Sequence, residues 1–344
     1  MELDSAARRV IDECLRLRRG ERLAVFFDHS GRSIAEALVE GSGIDNGRQV
    51  ITRFVPTEHQ LQLAIDKRLP SQLRVDIAAA DVCVFALTDS NRTTGFRVNA
   101  LALAVPNAAR ILHMPGVDAA VFTRAVEGLD FKKLHRRARK IARRLERSTE
   151  FTVETRSCEG ELHRLELQRG DRRVHVCGGL AMPGEIMNFP TGEVYFAPIE
   201  ETATGTIVLN GATESAVFRR RDEIILCFRK GRLDFGRSRF PRTEKNARFE
   251  NELTSVFAQS PDNLLLCELG VGLNDKITKL TGNEVWDEKA DGTIHIALGA
   301  NKPFGGTIAT NYHRDITIYP ERILSKGREI KLPWRQAYID QSSE

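Results

Sequence analysis

Hydrophobic and polar positions fall into two regimes that change over near residue 150. In the first, residues 4–19 set Ala7, Val10, Ile11, Cys14 and Leu15 on one stripe at helical spacing, and Gly20 closes the segment. Leu23-Ala24-Val25-Phe26-Phe27 follows as a continuous apolar run, the pattern of a strand buried on both faces. The pattern predicts a helix near 31–42, a helical stretch over 59–80, and further strands at Val50–Val55, Val82–Leu87 and Ala108–His113. Strands alternating with helices predict a parallel α/β sheet, a Rossmann-like domain over residues 1–128. Residues 129–149 predict a connecting helix: Phe131, Leu134, Ala138, Ile141, Ala142 and Leu145 recur at helical spacing, and the nine Lys/Arg of 130–147 read as its solvated face. Beyond it the segments are short, alternating and rich in Thr, Val and Gly, as at Phe151–Thr155, Leu162–Leu167, Gly205–Leu209 and Ile224–Phe228, with one helix over 244–258. Residues 150–344 therefore predict a mixed, mainly antiparallel, β-rich α+β domain.

Alternation also points to chemistry. Along Thr293–Leu298, residues Thr293, His295 and Ala297 share one face while Ile294, Ile296 and Leu298 share the other. Along His313–Ile318, His313, Asp315 and Thr317 oppose Ile316 and Ile318. Two imidazoles and a carboxylate on the polar faces of neighbouring strands make half of a metal site. Three further acids stand in apolar or glycine-flanked settings. Glu193 follows Pro190-Thr191-Gly192, Glu268 interrupts an apolar run, and Glu288 lies seven residues before His295. Taken singly, such residues are more often salt-bridge partners or hydrogen-bonded core residues. Together they are the oxygen and nitrogen ligand inventory of a two-metal hydrolytic site, suited to Zn²⁺, Co²⁺ or Mn²⁺.

Composition narrows the remaining classes. At 344 residues, 41% hydrophobic and 28% charged, the chain has a globular make-up with length for two domains. The formal net charge of +4 implies neither a nucleic-acid nor a membrane partner. No apolar run approaches the roughly 20 residues of a membrane span. The acidic start Met1-Glu2-Leu3-Asp4 lacks a signal-peptide pattern. Six scattered cysteines without a C-x-x-C pair read as reduced thiols, so a cytoplasmic location is expected. Gly41-Ser42-Gly43 with Gly47 has the wrong spacing for a dinucleotide loop and follows a helix rather than a strand. Asn91-Arg92-Thr93 is a formal glycosylation sequon of no weight in such a protein.

The motifs P-T-G-E-V-x-x-A-P (190–198), E-L-G-V-G (268–272), D-E-K-x-x-G-T-x-H-I-A-L-G (287–299), F-G-G (304–306) and H-x-D (313–315) resemble, in order and rough spacing, those of the thermophilic-type metalloaminopeptidases. This is the aminopeptidase T / aminopeptidase S family, in its shorter bacterial members. The specific likeness lies after residue 185. It implies Glu193, Glu268, His295, His313 and Asp315 as metal ligands, with Glu288 a further acid of the pattern. It also implies two divalent ions, a peptide or small amide substrate, and a homodimer. Either Glu193 or Glu268 would bridge the ions or act as general base. Where the family has a tyrosine seven residues after the histidine, this chain has Lys302, so Lys302 or Tyr312 is expected to take over that role. A second reading is a mononuclear Fe(II) ring-cleaving dioxygenase of the dihydroxypyridine type, using His295, His313 and Asp315. A third is a non-catalytic, peptide-binding descendant. Retention of Glu193 and Glu268 favours the hydrolase.

Overall fold

The computed structural model describes residues 1–43, 48–66, 69–87, 94–218 and 222–332. Gly47, the 91–93 sequon and residues 333–344 lie outside them. The chain forms two compact units, 1–136 with 177–192, and 137–176 with 193–344. The architecture is the expected one: an α/β part with a parallel sheet, then a β-rich part.

In the first unit, β1 (Arg22–Phe27), β2 (Gln49–Phe54), β3 (Val82–Leu87) and β4 (Arg110–Pro115) run in the order β2-β1-β3-β4, all parallel. β3 is buried along its whole length, and Phe26 stacks on Phe85 at 5.0 Å between ring centroids. That burial is why β1 and β3 read as unbroken apolar runs. The first helix runs Leu3–Arg9 and continues as a π-helical segment, Val10–Leu15. It stops short of the predicted Gly20 because Arg16 takes a left-handed conformation with φ 53°. The stretch predicted over 59–80 is two helices, Thr57–Asp66 and Ser71–Ala78. Pro70, lacking an N–H, caps the second rather than continuing the first. A single boundary near 150 does not anticipate the return of 177–192 to this unit. There Ile186–Asn188 adds a fifth parallel strand beside β4.

The second unit is built on two seven-stranded sheets whose strand pairs are antiparallel. One contains Glu150–Arg156, Leu162–Gln168, Thr204–Leu209 and Ile224–Arg229. Leu162–Gln168 alternates buried and exposed residues, as a strand with one wet face must. The other sheet places Glu193–Phe196, Leu266–Gly272, Ile294–Gly299 and His313–Ile318 side by side. Phe151 of the first sheet packs on Phe196 of the second at 4.9 Å. The predicted helix spans Glu244–Gln259, with Thr243 accepting the Asn246 N–H at its start. All six cysteines are free, and only Cys158 is exposed. No helix among the described residues is long and apolar enough to cross a membrane.

Candidate metal centre

Four adjacent strands of the second sheet carry the site on one face. Glu193 pairs with Gly272, His295 with Gly270, Asp315 with Ala297 and His313 with Gly299. Directly opposed residues share a face, so the register alone aligns Glu193, His295, His313 and Asp315. Glu268 joins them by alternation: it lies two residues before Gly270, which opposes His295, and a bulge follows on its other side. Leu266 opposes Leu298, but the next pair is Glu268 with Ala297, which leaves Cys267 as an extra residue. The bulge therefore shifts Leu266 and leaves the register of Glu268 with Ala297 and of Gly270 with His295 regular. Small residues make the room: a Cβ on Gly270 would lie 2.0 Å from His295 Nε2.

The imidazoles are oriented from behind. His295 Nδ1 lies 3.2 Å from the Glu288 carbonyl, and His313 Nδ1 lies 3.0 Å from the Ala300 carbonyl. A carbonyl only accepts, so each Nδ1 carries the hydrogen and each Nε2 is turned into the site. His295 Nε2 lies 3.1 Å from Glu268 Oε1 and 3.5 Å from Glu193 Oε2. His313 Nε2 lies 3.8 Å from Glu268 Oε2 and 3.5 Å from Asp315 Oδ2. The Glu268 carboxylate thus spans the two imidazoles, one oxygen to each, and each imidazole has a second carboxylate of its own. Ligand atoms of Glu268, His295 and Asp315 lie within 4.8 Å of one another, as do those of Glu193, Glu288 and His295.

The charge balance asks for cations. Four buried carboxylates share the space with the buried ammonium of Lys289. Burial drives the Glu268 and Glu288 carboxyls above the ordinary carboxylate range, Glu288 strongly. Burial disfavours protonation of His295, but its bond to Glu268 and the charges of Asp315 and Glu193 outweigh that and raise it. His313 is raised well above its ordinary value, burial again being outweighed, here by Cys267 and Asp315. Asp315 is held low against burial by the adjacent His313. Its Oδ1 is buried without a hydrogen-bond partner. A set of buried carboxylates, two outward-oriented Nε2 atoms and an orphaned carboxylate oxygen fits divalent ions with oxygen and nitrogen ligands.

No family model matches the sequence, and no curated protein matches it. Solved structures do match. The 2,5-dihydroxypyridine dioxygenase of Pseudomonas putida KT2440 is similar at a TM-score of 0.72 and 18% identity, over 96% of this chain and 95% of that one. Wild-type AmpT of Thermus thermophilus is similar at 0.62 and 14%, over 96% of this chain and 99% of that one. At these identities the likeness is one of fold. Both neighbours are enzymes, and the relationship to the aminopeptidase is a distant structural one.

The six predicted ligand residues are brought together; of the two predicted substitutes for the family tyrosine, one is exposed and the other buried. Lys302 is exposed at the start of the turn Lys302–Phe304. Tyr312 is buried, and its hydroxyl donates to Glu252 Oε1 at 3.2 Å. Sequence reasoning gave no role to three residues that organise the site. Lys289 Nζ donates to Glu193 Oε1 at 2.6 Å and to Glu288 Oε1. Glu284 accepts the Asp315 N–H at 2.6 Å and a bond from Arg314 at 2.6 Å, which fixes the start of the strand His313–Ile318. Burial, with Asp315 adding to it, raises the Glu284 carboxyl to about 8.

Beside His313, the Phe304 ring lies 5.6 Å from its imidazole and 5.4 Å from Tyr195, and His175 stacks on Tyr195 at 5.2 Å. Glu200 ties down the loop that carries Phe304. Its Oε1 accepts from Asn301 Nδ2 at 2.9 Å and from the Thr307 N–H at 2.8 Å, while Arg172 pairs with Oε2. Burial would raise this carboxyl, but Arg172 and the Thr307 N–H hold it down to about 2. A folded-state value below the ordinary 4.5 means stabilisation that is full above about 4.5 and lost as pH falls toward 2. Glu200→Gln is therefore expected to cost about 1–2 kcal/mol at pH 7. Urea midpoints of the two proteins should converge between pH 4.5 and pH 2; a gap independent of pH would refute the assignment.

Proposed function

We propose that this chain is a metal-dependent, aminopeptidase-like hydrolase that cleaves an N-terminal residue from a peptide or small peptide-like amide. The observation that carries the reading is the Glu268 carboxylate, with Oε1 toward His295 and Oε2 toward His313, and with Glu193 and Asp315 flanking them. A carboxylate shared between two half-sites is what a pair of ions requires, so Glu268 is taken as the bridging residue. Divalent ions held there would bring the pKa of water toward about 7 and polarise a carbonyl. Glu193, Glu268, His295, His313 and Asp315 would hold them. His313 is the most exposed of the ligands, with 30% of its side chain open, so substrate approaches from its side past Phe304 and Tyr195. The partly exposed Phe304 ring offers an apolar surface to a substrate side chain.

The alternative is a mononuclear Fe(II) ring-cleaving dioxygenase using His295, His313 and Asp315. It is favoured by the presence of two imidazoles and one carboxylate on a single face of adjacent strands. Metal analysis and substrate tests separate the two. Protein purified without chelator is expected to carry about two divalent ions per chain and to hydrolyse aminoacyl amides with Zn²⁺, Co²⁺ or Mn²⁺. Chelation should lower that rate by roughly 100-fold or more, and metal should restore it. One iron per chain with oxygen uptake on a dihydroxypyridine would overturn the hydrolase reading in favour of the alternative.

A further inference from the structure

The Lys289 ammonium brings to this site a positive charge that opposes metal binding. Its side chain is fully buried, and its Nζ donates to Glu193 Oε1 at 2.6 Å and to Glu288 Oε1. Glu193 therefore has one oxygen engaged by the ammonium, while the other, Oε2, lies 3.5 Å from His295 Nε2. Glu193, Glu288 and His295 form a cluster with metal-ligand spacing, and the ammonium contacts both of its carboxylates. A buried ammonium and a divalent ion cannot both occupy one pair of carboxylates without strong repulsion at low dielectric.

We infer that Lys289 is a positioning residue that sets the metal count, holding Glu193 as a one-oxygen ligand and keeping an ion out of the Glu193–Glu288 pair. Glu288 then serves as the counter-charge of Lys289 and not as a ligand. This narrows the ligand set implied by the sequence motifs from six residues to five. The inference rests on the metal-centre reading above, but it is a statement about differences between variants and holds whatever the absolute count.

The test is Zn²⁺ stoichiometry by equilibrium dialysis, together with thermal midpoints at increasing Zn²⁺. Lys289→Met keeps most of the side-chain volume and removes the charge. It is expected to bind one ion more per chain than the unaltered protein and to gain more thermal stability from Zn²⁺. The double variant Glu288→Gln/Lys289→Met removes both members of the pair and should return to the original count. Glu288→Gln alone should keep the original count. A folded Lys289→Met with an unchanged count overturns the inference. If that variant does not fold, loss of an ion in Glu288→Gln overturns it and retention supports it. Failure of the unaltered protein to bind any ion is a separate result, which would remove the metal-centre reading itself.

Discussion

Glu268→Gln is expected to reduce bound metal to at most one ion per chain and to lower aminoacyl-amide turnover by roughly 1000-fold, with the fold retained. The carboxylate turns one oxygen to each imidazole, Oε1 toward His295 and Oε2 toward His313. Glutamine has the same shape but replaces one acceptor oxygen with an NH₂ donor, so at least one half-site loses its shared ligand. The apo protein should behave differently. Burial, with the neighbouring Asp315 charge, makes the ionised Glu268 unfavourable without an ion. The metal-free variant is therefore expected to be no less stable than the metal-free parent, while the parent alone gains a large rise in thermal midpoint on adding Zn²⁺. Metal analysis, initial rates and thermal midpoints in the two states check this. A variant that keeps two ions and near-parental turnover would show that Glu268 does not bridge.

The sequence made the faces of the site legible but not its wiring. Alternation of Ile294, Ile296 and Leu298 with His295 and Ala297 admits one buried apolar face, and the same holds for Ile316 and Ile318 beside Asp315. The antiparallel register then sets Ala297 against Asp315, as two such faces in one sheet require. Glu268 shares a face with Gly270 and Gly272 by the same alternation, whereas the bulge at Cys267 is a property of the strand pair and leaves no local signature in Leu266-Cys267-Glu268. Lys289 was unreadable for a similar reason: its acceptor Glu193 lies 96 positions away, so nothing local distinguishes a buried ammonium from a surface one. The replacement of the family tyrosine shows the limit of spacing arguments. Lys302 falls at the matching position and is exposed on the turn that carries Phe304, whereas the phenol of Tyr312 donates to Glu252, so spacing alone does not choose between them. In the first unit, the apolar runs of β1 and β3 identified the parallel core, whereas the three-residue strand Ile186–Asn188 is too short to carry a periodic signal.

Gly270→Ala is expected to destroy the centre by geometry, without touching a ligand. A methyl group there would lie 2.0 Å from His295 Nε2, 2.2 Å from Cε1 and 2.8 Å from Cδ2. The imidazole is fully buried and anchored through Nδ1 to the Glu288 carbonyl at 3.2 Å. It can make room only by leaving Glu268 and Glu193, or by forcing apart the strands Leu266–Gly272 and Ile294–Gly299. Either response costs about 2–3 kcal/mol by overpacking, and the first also removes a ligand from the shared carboxylate. The expected result is a lower urea midpoint together with loss of at least one ion per chain and of hydrolysis. Gly236→Ala is the matched control. A Cβ there meets only Asp234 Oδ1, at an ordinary 3.5 Å, so stability should change by less than about 1 kcal/mol and metal content not at all. A Gly270→Ala protein with full metal content and unchanged stability would mean that His295 does not sit over Gly270, and the arrangement of both half-sites around Glu268 would fall with it.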